Sequence, residues 1–276
     1  MALNDVYARN QAAHDPEIDA AKRLARVQGP GELHAALLAL ILPRGSRRAA
    51  RAWAIETAET PNRAGLREHA ASLSGATRLP WFERLLARMA LQPISARQAL
   101  LKAMRRIMGA RGVVRPIDRL HWLAMRRGLG EVPARVARPE ADSEVTEWLE
   151  TDVLALAVYT AFLSRMVAED LEDETAAARW YESVMEQWSP HSAAPPYDAP
   201  DAENVFEALA RMQTLSWMQR PVVVRSWAAA ALKANGGVRF GDAAADAMRL
   251  TCILLDSPMP PELSRHYVEL RADGPR

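Results

Sequence analysis

The sequence predicts an all-α protein, a multi-helix bundle built from two related helical halves. Three observations predict it. Ala, Leu and Arg dominate the chain and β-branched runs are rare; these three residues are among the strongest helix formers. Gly and Pro fall between apolar-periodic segments rather than inside them, which is punctuation between helices. No hairpin dipeptide is flanked by alternating strands.

The elements follow that punctuation. Helices are predicted over Asp5 to His14 and Pro16 to Val27. Glu32 to Leu42 follows Gly29-Pro30-Gly31 and stops before Pro43. Ser46 caps a helix running to Thr57. Asn62 to Leu73 follows Pro61. Pro80 to Leu91 opens on proline at its first helical position, Ser95 to Met108 carries a serine cap, and Pro116 to Arg127 opens on proline again. Gly128 to Glu144 has no apolar period and contains Pro133 and Pro139, so a linker is placed at 131–144, between a first half at 1–130 and a second at 145–276. Val145 to Glu169 and Glu172 to Gln187 are long helices, followed by the proline-rich loop Ser189 to Asp201. Ala202 to Gln213, Val222 to Ala234 and Phe240 to Leu255 complete the set, with a short tail helix within Pro260 to Leu270.

Of 276 residues, 49% are hydrophobic and 25% charged, the balance of a folded globular chain. The net charge is +1, from 35 basic and 34 acidic residues. That argues against a large phosphate-binding surface and leaves room for a local basic patch. The single cysteine, Cys252, permits no internal disulfide and suits a reducing compartment. Met1 to Ala20 is too polar for a signal peptide. The most apolar stretch, Val153 to Ala168, contains Arg165 and reads as a buried core helix rather than a membrane span. The expected location is cytoplasmic.

One phrase occurs twice. Ala110, Gly112, Val114, Arg115 and Asp118 recur, at an offset of 124 positions, as Ala234, Gly236, Val238, Arg239 and Asp242. The same offset takes Phe82-Glu83 to Phe206-Glu207. Gly112 and Gly236 follow helix ends, where a positive φ is often needed. Val114 and Val238 are placed to tuck under the turn. Asp118 and Asp242 fall in the first turn of the next helix, where a carboxylate is favoured by the free N–H groups and the helix dipole.

This helix–Gly turn–helix phrase resembles the TerB-like (tellurite-resistance B) helical domain. The likeness is greatest to the non-catalytic region that follows the peptidase unit in some bacterial HtpX-like membrane zinc metallopeptidases. Thr77 to Ser95, Ile107 to Leu129 and Ile253 to Leu263 carry it, in the same order, within a span from Leu33 to Leu263. The resemblance implies an interaction or regulatory module on the cytoplasmic side, with a peptidase domain as partner in cis or in trans. TerB-like domains are associated with metal binding through acids at the turn. Here Arg111 and Asn235 precede the glycines, and the later acids are Asp118 and Asp242. Asn235, Asp242 and Asp118 are thus the cation candidates, too few oxygens for a hard-cation site. The alternative reading is a stand-alone metal- or ligand-sensing stress-response protein.

Nothing marks an enzyme. There is no His-Glu-x-x-His, Gly-x-Ser-x-Gly or P-loop pattern, and no cofactor is implied. His14, His34, His69, His121, His191 and His266 form no local metal-ligand pair. Trp180 and Trp188, with Tyr181 and Met185, form a helical stripe with two readings, core packing or contact with a partner helix. Arg44, Arg47, Arg48 and Arg51 cluster, as do Lys102, Arg105, Arg106 and Arg111. These are solvated helix faces or contacts for a partner or for anionic lipid. No aromatic interleaving points to nucleic acid.

Overall fold

The computed structural model describes residues 15–131, 148–167, 174–188 and 195–270. Among these, thirteen helices and no strand are found, so the protein is an all-α multi-helix bundle. The helix expected at Asp5 to His14 lies outside the described residues, as does all of the expected linker at 131–144 except Glu131.

The chain divides into two compact units. The first draws on Met1–Val114 and Tyr267–Arg276, and the second is Arg115–His266. The division therefore falls inside the first repeated turn rather than at 131–144. It places the helix after that turn in the second unit.

The first unit holds α1 (Pro16–Ala25), α2 (Gly29–Ile41), α3 (Arg47–Glu56), α4 (Arg63–Ser72), α5 (Gly75–Ala90) and α6 (Ile94–Ala110). Leu33 and every residue from Ala35 to Ile41 are buried, so α2 is apolar on all sides and sits at the centre. It packs on α4 and α5 and, less extensively, on α3 and α6, while α1 packs on α4 and α3 on α6. Trp53 of α3 is buried and its indole N–H donates to the Ala35 carbonyl at 3.0 Å.

In the first unit the residues expected to open or cap a helix do so at one of three starts. Ser46 caps α3 as predicted, accepting from the Ala49 N–H at 3.2 Å. Ser95 does not cap α6: the helix begins at Ile94 behind Pro93, with no side-chain cap. Pro80 does not open α5 either; it lies inside that helix. A proline there leaves the carbonyl four residues back, on Ala76, without its helical donor. The Val268 N–H fills the gap at 3.1 Å. The start of α5 is capped from another helix. Glu17 of α1 accepts from the Ser74 N–H at 3.0 Å, from the Ser74 hydroxyl at 2.6 Å and from the Thr77 hydroxyl. These hydrogen bonds, Ser74's first, hold the Glu17 carboxyl below its usual range.

Arginine closes the opposite ends. Neither α2 nor α3 has a basic residue in its last turn, so the cation comes from elsewhere. Arg78 of α5 donates to the carbonyls of Ala39, Leu40 and Leu42 at 3.2, 2.5 and 2.8 Å. Arg63 donates to Ala54 at 2.7 Å, and Arg88 to Val27 beyond α1. Each satisfies carbonyls that a helix terminus leaves open and opposes the negative end of its dipole.

The second unit holds α7 (Pro116–Gly128), α8 (Glu150–Val167), α9 (Glu174–Trp188), α10 (Ala202–Met212), α11 (Gln219–Ala234), α12 (Asp242–Leu255) and α13 (Pro261–Ser264). Helix α8 is the hub, packed against α9, α10 and α12 and more lightly against α7 and α11. It is the apolar stretch singled out in the sequence and it is buried in protein. Among the described residues no helix is long and apolar enough to cross a membrane. Its core contact is polar as well as apolar. The Trp227 indole donates to the Thr160 hydroxyl at 2.9 Å, and the Tyr159 hydroxyl meets that of Thr251 at 3.0 Å.

Candidate functional site

The end of α12 organises one region of the second unit. Leu254 and Leu255 close that helix, and Asp256 follows in the left-handed conformation at φ 49°. Three side chains converge on these last carbonyls. Arg127 and Gln213 both donate to Leu254, at 3.0 and 2.8 Å, and Arg220 donates to Leu255 at 3.0 Å. Arg220 also donates to Leu215 at 2.8 Å and to Gln213 at 2.9 Å. One planar guanidinium thus pins the α10–α11 turn to the α12 terminus.

The turn is locked from its other side too. The Ser216 N–H donates to Gln219 Oε1 at 3.0 Å, and the Gln219 N–H donates to the Ser216 hydroxyl at 3.2 Å. This reciprocal pair is a Ser-x-x-Gln capping box. Between its members stand Trp217, 72% exposed, and Met218, 59% exposed, with Val222 one turn on at 55%. Three large apolar side chains therefore project into solvent from a backbone held by at least seven hydrogen bonds.

An exposed tryptophan on a fixed backbone is a pre-organised contact. Its ring offers a large area with few torsions to freeze, and such residues dominate interface energetics.

No family model matches the chain, and no curated protein or solved structure matches it.

The contact stripe expected on α9 is corrected. Trp180, Tyr181 and Met185 are buried, at 4%, 2% and 0% exposure. Tyr181 donates its hydroxyl to the Pro195 carbonyl at 2.6 Å. Trp188 is half-buried, edge-on to Trp148 with centroids 4.7 Å apart, and its indole donates to Ser226 at 3.3 Å. The stripe is α9's packing face toward α8 and α11.

The arginine candidates separate. Arg105 is exposed. Arg106 forms a two-pronged pair with Glu56 at 2.5 and 2.6 Å, and Glu56 is the more buried partner. That hydrogen bond holds the Glu56 carboxyl below its usual range. His34 faces the pair electrostatically, and its Nε2 is sealed from solvent with no hydrogen-bond partner.

The repeated turns agree in backbone and differ in side chains. Gly112 and Gly236 have φ of 81° and 75°. Asp118 is buried and grips its own helix start, accepting from the Arg115 N–H at 3.0 Å and pairing with the Arg115 guanidinium at 2.9 Å. Asp242 is exposed and lies 3.5 Å from His266. Asn235 donates to the Arg239 carbonyl at 3.0 Å. Val238 does not tuck under its turn; it is 87% exposed. The two turns hold their candidate oxygens on different partners, and among the described residues no three His, Cys, Asp or Glu gather as a metal group.

Trp217 is not among the residues that the sequence singles out. The signal was Ser216-x-x-Gln219, which fixes a helix start and leaves the two residues between its members on the outer side of the first turn.

Proposed function

We propose that this chain is a non-catalytic interaction module that works through the Trp217, Met218 and Val222 surface, with an HtpX-like membrane peptidase as its partner. The observation that supports contact is the pinned turn: three exposed apolar side chains on a backbone fixed by Arg220 and the capping box. Burying such an anchor in a partner pocket is worth about 2 kcal/mol or more. The choice of partner comes from the sequence resemblance.

The test is binding of the full chain to a detergent-solubilised HtpX-like peptidase from the same cells. Trp217→Ala leaves the turn's hydrogen bonds in place, because the ring is outside them. The expected result is a complex weakened about thirtyfold by that substitution, in keeping with a hot-spot anchor. No complex, or a complex indifferent to Trp217→Ala, rejects the proposal. The sensing alternative rests on Asn235 and Asp242, which the fold engages with Arg239 and His266.

A further inference from the structure

Four arginines meet at a cleft in the first unit. Its volume is about 440 Å³, and its wall includes Arg44, Arg47, Arg67 and Arg78 with the apolar Leu42 and Ala50. Two of the four, Arg44 and Arg47, belong to a cluster visible in the sequence; Arg67 arrives from α4 and Arg78 from α5. Among the described residues the lining contains no carboxylate, and none pairs with Arg44, Arg47 or Arg67. In a chain with net charge +1 this is a local excess of positive charge.

Three of the four cations are placed rather than loose. Arg44 donates to the Leu73 carbonyl at 2.7 Å, and Arg78 is fixed on the end of α2. The Arg67 guanidinium lies over the Trp53 ring, 6.0 Å from its centroid. Ser46 and Arg47, at the start of α3, also line the cleft. The Ser46 hydroxyl occupies only the Ala49 N–H, which leaves earlier first-turn donors and the positive end of the helix dipole on that side.

We propose that this cleft binds the phosphate group of a small ligand. Arg44, Arg47 and Arg67 have no carboxylate partner among the described residues and repel one another, and a dianion that accepts several N–H bonds removes that repulsion. Guanidinium geometry suits phosphate oxygens better than a point cation does. The size is that of a small-molecule pocket, and a nucleic acid would need a longer basic track. Leu42, Pro43, Ala50 and Ala71 offer an apolar wall for the organic part of an ester. The phosphate can belong to a soluble phosphoester or to a lipid headgroup. The proposal lies in the first unit and stands without the Trp217 surface.

The experiment is calorimetric titration of the full chain with pyrophosphate, paired with flotation on phosphatidylcholine vesicles that contain phosphatidic acid. Arg47→Ala and Arg67→Ala remove exposed lining arginines; Arg51→Ala removes an exposed arginine outside the lining. The expected result is saturable pyrophosphate binding, weakened by about tenfold or more in each lining variant and unchanged in Arg51→Ala. Vesicle flotation that pyrophosphate competes away assigns the phosphate to a lipid; pyrophosphate binding without flotation assigns it to a soluble ligand. Absence of both interactions overturns the proposal. So does an Arg51→Ala loss equal to that of Arg47→Ala, or flotation insensitive to both pyrophosphate and Arg47→Ala, since each marks diffuse charge rather than a site.

Discussion

Trp227 and Tyr159 meet in the core of the second unit with ring centroids 5.5 Å apart, each tied to a buried threonine. Thr160→Val keeps the shape of its side chain and removes the acceptor for the Trp227 indole, which is fully buried. The expected loss is about 1–3 kcal/mol, the penalty of an unsatisfied buried donor, readable as a lower midpoint in urea. His34 gives a pH prediction. Burial pushes its imidazole below the ordinary range, Glu56 pulling the other way and Arg106 adding to the depression. The folded state therefore holds the ring neutral, while the unfolded chain takes up a proton below about pH 6.5. Stability should be complete above that pH and fall as the pH drops through it. His266 is lowered by burial too, so His34→Leu should flatten the slope of stability against pH between about 5 and 7 without abolishing it. An unchanged slope would mean that His34 titrates alike in both states. The residue types were all legible in the sequence, but their partners come from other helices, and no local pattern carries that information.

Helix ends are where sequence and structure part most clearly. Ser46 was readable because a cap acts within four residues of itself. Pro80 was misread because a proline at a first helical position and one inside a helix look alike in sequence; what distinguishes them is a donor on Val268. The cap that α5 receives from Glu17 was unreadable for the same reason. Glu17→Gln should lower stability by about 0.5–2 kcal/mol, the range of a lost N-cap. The hydrogen bonds depress the Glu17 pKa, so its contribution is present above the ordinary carboxylate range and lost as the pH falls through it. Chemical denaturation at pH 7 and pH 3 should show the substitution costing much less in acid. Pro80→Ala restores an in-helix donor to the Ala76 carbonyl, which then competes with Val268. Faster hydrogen exchange at the Val268 amide is the expected sign, with α5 itself unweakened.

At the scale of the whole molecule, composition and punctuation were enough for the all-α class, since helix propensity and Gly/Pro spacing are local properties. The division into units was not legible. Helix α7 buries Leu120, Ala124 and Met125, an apolar face that suits either half until its neighbours are known, and it packs on α12 and α8. The Trp217 surface was hidden by a similar ambiguity, because an exposed tryptophan and a buried one are the same letter. The units also differ in chain continuity. The second is one unbroken segment, whereas the first is closed by residues from Tyr267 onward. A chain ending at His266 should thus retain the second unit's protection against limited proteolysis while α5 becomes easier to cut; equal resistance to the full chain would show that the tail adds nothing. The proline inside α5 gives this arrangement a clock. On the ribosome, Val268 is made only after all of Arg115–His266, so throughout that interval the Ala76 carbonyl lacks its Val268 donor. The helices of the first unit, translated before Arg115–His266, are in this way finished only after it, and the arrival of Val268, rather than completion of the residues up to Val114, sets the moment at which that unit is sealed.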